Sequence, residues 1–236
     1  GATAGGATAD VTLEPCCPHA RTPPCTDALR RAGIARVVSA MSDPNPRVAG
    51  QGVAALTAAG LRVEGGLMQA QAEALNPGFI SRMQRALPYV RAKLAASLDG
   101  RTALANGASQ WITGEAARAD VQALRARSSA ILTGIGTVLA DDPSLSVRAF
   151  DIGRQPLRVV VDGGLRMPAT AKMLRLPGST LIATARDDGA VAARLVEAGA
   201  EVLLLPADSG RVDLAALMQH LAAREVDRHV QSPVVV

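Results

Sequence analysis

Hydrophobic and polar positions in this chain switch between a two-residue and a helical rhythm many times. Ala7 to Glu14 alternates and carries β-branched residues, which predicts a strand. Thr26 to Gly33 reads as a short helix stopped by its glycine. Ile34 to Ala40 is an apolar run with the pattern of a buried strand, and Asp43-Pro44-Asn45-Pro46 is a loop. Val48 to Ala59 is helical and closed by Gly60, and Leu61 to Glu64 is another short strand.

The rhythm then breaks and restarts. Gln69 to Gln84 is helical but interrupted by Asn76-Pro77-Gly78, and Leu87-Pro88 reads as a boundary between domains spanning 1–88 and 89–236. Beyond it, Tyr89 to Ser97, Ala130 to Leu132, Leu157 to Val161, Thr180 to Thr184, Glu201 to Leu205 and Val234 to Val236 read as strands. Gly114 to Arg127, Val191 to Ala198 and Asp213 to Ala223 read as helices. Strands alternating with helices predict α/β layers with parallel strands.

Composition narrows the function classes. The chain has 236 residues, 48% hydrophobic but only 2% aromatic, so its core is built from Ala, Val, Leu and Ile. The net charge of +4 is carried almost wholly by dispersed arginines; Lys93 and Lys172 are the two lysines. With few aromatics to stack on bases, no nucleic-acid partner is expected. A phosphorylated small molecule suits the arginines better. No run of eighteen apolar residues and no secretory signal are present, so no membrane partner is expected. The three cysteines, at 16, 17 and 25, make a poor disulfide framework, and a reducing cytoplasm is the expected compartment.

Those cysteines lie in Thr12-Leu13-Glu14-Pro15-Cys16-Cys17-Pro18-His19-Ala20-Arg21-Thr22-Pro23-Pro24-Cys25. Thiolates suit zinc, and a catalytic zinc takes three protein ligands and keeps one position for water. The spacing alone leaves two readings open, zinc ligation and inert thiols. The pattern is not the Pro-Cys-x-x-Cys of most zinc deaminases, and no His-x-Glu occurs in the chain. Leu13-Glu14-Pro15-Cys16 followed by Arg21-Thr22-Pro23-Pro24-Cys25 resembles the deaminase half of the RibD family, bifunctional enzymes of riboflavin biosynthesis. The resemblance implies Cys16 and Cys25 as Zn2+ ligands. Cys17 stands where the family usually has Ser, and Pro18 where it often has His. The family's third ligand and acid–base Glu come from a His-Ala-Glu motif that would precede residue 1. The chain is therefore expected to be cut at both ends, with an incomplete deaminase site.

Three blocks follow the boundary: Lys93 to Arg101, Ser109-Gln110-Trp111-Ile112-Thr113, and Leu132 to Arg148. Gly134 and Gly136 after a buried strand permit backbone amides to approach phosphate. This is not the Rossmann fingerprint, because position 139 is Leu. Together the blocks resemble the RibD-family reductase domain. The implied architecture is a partial cytidine-deaminase-like α/β/α domain followed by a partial dihydrofolate-reductase-like α/β domain. The implied cofactor is NADPH, with contacts at Ala95, Trp111, Thr137, Asp141 and Gly163. Implied contacts to a phosphorylated pyrimidine are Ser109, Arg125, Leu145 and Arg148.

Two arginines suit a ribose phosphate. Lys93 and Asp141 are the candidate polar pair at the reacting ribose; alternatively Lys93 only orients a carbonyl and Asp141 only caps a loop. Trp111 reads as a site residue or a core one. The family suggests a homo-oligomer. Its C-terminal strand and Glu-Gly turn are not found in Asp227 to Val236, which predicts an unpaired sheet edge and weak NADPH binding. The competing readings are a reductase-only protein with a decayed deaminase domain, and a non-catalytic interaction domain.

Overall fold

The structure is a computed structural model that describes residues 4–19, 22–226 and 234–235. The chain divides into two compact units, residues 1–86 and 87–236. Arg21 of the cysteine segment, the tail 227–233 and Val236 lie outside the described residues.

The first unit contains β1 (Thr8–Val11), α1 (Cys25–Arg31), β2 (Arg36–Ser39), α2 (Gln51–Ala58), β3 (Arg62–Gly65), α3 (Gln69–Leu75) and α4 (Pro77–Arg85). Its strands pair in parallel in the order β1-β2-β3. Burial of Val37, Val38, Met41 and Leu56 places the core around the central strand. Arg36 and Glu64, on neighbouring strands, form a two-pronged ion pair at 3.1 and 2.6 Å. Asn76 divides α3 from α4, and Pro77 opens α4 where its missing N–H costs no helical bond.

The second unit contains β4 (Val90–Arg91), α5 (Glu115–Ala126), β5 (Ala130–Gly134), α6 (Ile135–Asp141), β6 (Leu157–Val161), β7 (Thr180–Thr184), α7 (Gly189–Glu197), β8 (Ala200–Leu204), α8 (Leu214–Val226) and β9 (Val234–Val235). A 3₁₀ turn at Lys172–Arg175 precedes β7. Its sheet is parallel throughout, in the order β4-β9-β5-β6-β7-β8. Strand alternation sorts the side chains into two cores. Ile131, Val160 and Ile182 pack with Ile135, Val138 and Leu195 of α6 and α7 on one face. Ala130, Val159, Leu181 and Ala183 pack with Leu217 and Leu221 of α8 on the other. The result is an α/β/α sandwich. Asp188 caps α7 by accepting from the Val191 amide at 3.1 Å, and Asp213 accepts from Ala216 at 3.0 Å.

Two expectations need correction. The strand expected over Tyr89 to Ser97 is confined to Val90–Arg91, which pair with Val234 and Val235 of β9. Residues 92–114 run on without regular structure and expose Leu94, Leu98 and Leu104. Gly134 ends β5 and caps α6, and Gly136 is helical. The unpaired edge expected from a missing C-terminal strand is instead filled, since β9 sits between β4 and β5 and pairs with both. Among the described residues, no helix is long and apolar enough to cross a membrane.

Candidate functional site

In a parallel sheet all strands point their carboxyl ends to one edge, and ligands bind there where the strand order reverses. In the second unit the chain steps from β5 through β6 and β7 to β8, then returns on the other side of β5 as β9. The reversal therefore lies at β5. Lys93 and Ala95 follow β4, Thr137 and Asp141 lie one helical turn apart on α6 after β5, and Gly163 follows β6. Lys93, Thr137 and Asp141 are exposed, and Ala95 is half-buried. Neither Lys93 nor Asp141 makes a side-chain hydrogen bond or ion pair among the described residues. Beyond β6, the carboxylate of Asp162 is fully buried, accepts from the Met167 amide at 2.8 Å and lies 3.8 Å from Arg166. It fixes the turn that carries Gly163, whose carbonyl accepts from Thr184 Oγ1 at the end of β7.

A second cluster is organised by α5. Arg118, Gln122 and Arg125 are spaced four and three residues apart and share one helical face. The Arg118 guanidinium sits 4.7 Å from the Trp111 ring centre and donates to the Thr113 carbonyl. Trp111 is thereby held on the surface, 70% exposed, and is not a core residue. Gln122 Oε1 accepts from the Arg148 amide at 3.0 Å, and Arg125 donates to the Ser146 carbonyl at 3.4 Å. Arg148 in turn donates to Ser144 Oγ at 2.6 Å. Leu145, between these contacts, is buried in the left-handed region at φ 44°. Three of the four candidate substrate residues, Arg125, Leu145 and Arg148, are thus brought together. The fourth, half-buried Ser109, lies two residues before Trp111.

The electrostatics of this cluster are one-sided. Burial, and secondarily the Arg148 charge, push the Arg125 guanidinium below its ordinary range. Neither arginine has a carboxylate partner among the described residues. Two cations held together without a carboxylate partner among the described residues have the chemistry to take an anion.

In the first unit, the Cys25 amide donates to Cys16 Sγ at 3.4 Å. A hydrogen bond with the Cys16 thiol, then burial, then the Cys16 charge raise the Cys25 thiol above its ordinary value. The two sulfurs are therefore neighbours. Cys17 is directed elsewhere, its thiol 3.7 Å from Gln51 Oε1. Among the described residues no third His, Cys, Asp or Glu joins the pair in a group that could hold a metal ion. Glu14 is not near-surface acid–base chemistry in waiting: it is 3% exposed and accepts four backbone amides.

Residues 88–230 match the family described as the RibD C-terminal domain. The chain belongs to the RibD family. It is 48% identical to the riboflavin biosynthesis protein RibD of Escherichia coli K12 over 96% of its own length and 64% of that protein's. It superposes on Acinetobacter baumannii RibD with a TM-score of 0.81 at 44% identity, over 98% of this chain and 62% of that one. A Thermotoga maritima protein titled as a diaminohydroxyphosphoribosylaminopyrimidine deaminase and 5-amino-6-(5-phosphoribosylamino)uracil reductase gives 0.77 at 31% identity, over 95% and 60%. The chain thus spans roughly three fifths of the length of these RibD relatives.

Sequence reasoning missed Arg118, Gln122 and the buried Asp162. The first two were within reach, because the four-and-three spacing with Arg125 is visible in any helical projection of Glu115 to Ala126. Asp162 carried no signal beyond an acid following an apolar strand.

Proposed function

We propose that the 87–236 unit is an NADPH-dependent reductase of riboflavin biosynthesis, acting on a phosphoribosylamino-pyrimidine and built on a dihydrofolate-reductase-like fold. The observation that carries this reading is the Arg125–Arg148 pair, two adjacent cations without a carboxylate partner among the described residues. An ester phosphate carries the charge and the oxygens to take both guanidinium groups. Ser109 and Leu145 would border the rest of that ligand. Ala95, Trp111, Thr137, Asp141 and Gly163 would hold NADPH, which supplies hydride when bound. The surface position of Trp111 and the carboxyl-edge placement of the others suit an extended dinucleotide. Lys93 and Asp141, which have no side-chain partner among the described residues, would orient the reacting ribose and hold the proton that its oxygen gains on ring opening.

The 1–86 unit, on this reading, is part of a cytidine-deaminase-like domain whose Cys16 and Cys25 give two thiolates to zinc. Zinc in such a site activates water. The described residues fit half of its tetrahedral set and no more.

The test is NADPH oxidation by the purified chain, followed by absorbance, with 5-amino-6-(5-phosphoribosylamino)uracil as substrate. The expected result is oxidation that requires the substrate. Absence of turnover together with no NADPH binding would contradict the reading.

A further inference from the structure

We infer that Glu14 is a positioning residue for the Cys16–Cys25 thiol pair. Helix α2 begins at Gln51 with Gly50 as its N-cap and has no side-chain cap and no acid in its first turn. Its free amides are taken instead by Glu14, nearly forty residues earlier: Oε1 accepts from Gly52 at 3.1 Å and Val53 at 3.2 Å. Oε2 accepts from Gly50 at 3.0 Å and Asp43 at 3.2 Å. The Glu14 amide donates to the Met41 carbonyl at 3.0 Å, so backbone and side chain are both tied.

The next peptide is clamped by close approach. A Cβ on Gly52 would lie 1.9 Å from the Pro15 carbonyl oxygen, so the α2 backbone presses directly on the residue before Cys16. Cys16 is then joined to the start of α1 twice, its sulfur accepting from the Cys25 amide and its carbonyl from Thr26 at 3.2 Å. A continuous rigid path therefore runs from the α2 N-terminus through Glu14 and Pro15 to the two sulfurs. The carboxylate sets where Cys16 stands relative to Cys25. The use of that pair as metal ligands rests on the proposed function, but its positioning does not.

The test uses the full chain with Cys17→Ser, with and without Glu14→Gln. The amide of the glutamine turns one doubly accepting oxygen into a donor facing two other donors. Each protein is equilibrated with reduced and oxidised glutathione. The two thiols lose two electrons and two protons to form one S–S bond, while oxidised glutathione becomes two thiols. The equilibrium reports the effective concentration of one thiol at the other. Cadmium alone is titrated in parallel, read by thiolate-to-metal absorption, and circular dichroism checks the fold.

The expected result is a tenfold or greater fall in effective concentration in Glu14→Gln with the fold retained, and the same fall in Gly52→Ala. An unchanged effective concentration overturns the inference. So does unfolding of the first unit in both variants, which would make Glu14 a residue of overall stability. A fall in effective concentration in a protein that takes up no cadmium sustains the positioning role and contradicts the metal reading. Equal cadmium binding and equal effective concentration in both proteins do the reverse.

Discussion

Gly52→Ala sets two effects of opposite sign against each other. Gly52 is helical, and alanine in a helix is favoured over glycine by about 1 kcal/mol. Its Cβ, however, would lie 1.9 Å from the Pro15 oxygen, 3.1 Å from the Pro15 carbonyl carbon and 3.3 Å from Glu14 Oε1. The first of these is backbone, so the segment carrying Glu14 must retreat by about an ångström before the contact is tolerable. Overpacking of this kind costs about 1–3 kcal/mol, and losing one charge-assisted hydrogen bond at the buried carboxylate costs about 1.5–3 kcal/mol. The net expectation is a loss of about 3 kcal/mol in the first unit.

The chain supplies its own assay for that loss. All three cysteines, at 16, 17 and 25, lie in the first unit, and the single tryptophan, Trp111, lies in the second. Thiol accessibility in urea reports the first unit, and tryptophan fluorescence reports the second. Gly52→Ala should move the thiol transition to lower urea and leave the fluorescence transition in place. A mutant with wild-type or greater stability would show that propensity alone governs Gly52 and would refute the close approach.

The same substitution at Gly136 should do the opposite, because a Cβ there meets nothing within 4 Å: the fluorescence transition should hold or rise by up to about 1 kcal/mol. Arg148→Ala should raise the melting temperature of the phosphate-free protein by relieving Arg125, while the stabilisation given by added phosphate shrinks; a phosphate effect equal to that of the wild type would count against the anion site. Arg118→Ala removes the cation over Trp111 and its tie to Thr113, so indole emission should change and NADPH affinity fall several-fold, at a stability cost of about 1 kcal/mol or less. Asp43 is raised above its ordinary value of 3.8 by burial and then by the Glu14 charge, against a hydrogen bond from Asn45. A raised folded value means stability present below the unfolded value and lost as pH climbs through the folded one. Asp43→Asn, which keeps an acceptor for Asn45, should therefore be more stable than the wild type at neutral pH, with the difference closing below the ordinary value; a pH-independent difference would refute this.

Much of the layering was readable because it rests on local rhythm. Ile131, Val160 and Ile182 against Ala130, Val159 and Leu181 is the period-two signal of strands buried on both faces, and Asn76-Pro77 divides two helices where a proline must. What stayed hidden depends on partners. The partner of β4 is β9, more than 140 residues away, and nothing between Tyr89 and Ser97 announces that pairing. Glu14 looked like a motif letter beside a cysteine, and only the fold shows that it caps a helix. Arg125 and Arg148 were marked by resemblance, yet the burial that lowers Arg125 and the Gln122 and Ser146 contacts that hold the pair are set by the fold.

The central claim is that these two arginines recognise the phosphate of a reductase substrate. It is tested most directly by comparing kcat/KM for the phosphorylated substrate and its dephosphorylated counterpart, in the wild type and in Arg125→Ala and Arg148→Ala. Each charge-assisted contact contributes about 1.5–3 kcal/mol, so each variant should lose roughly 10- to 100-fold of the preference for phosphate. A preference that survives both substitutions unchanged would contradict the account.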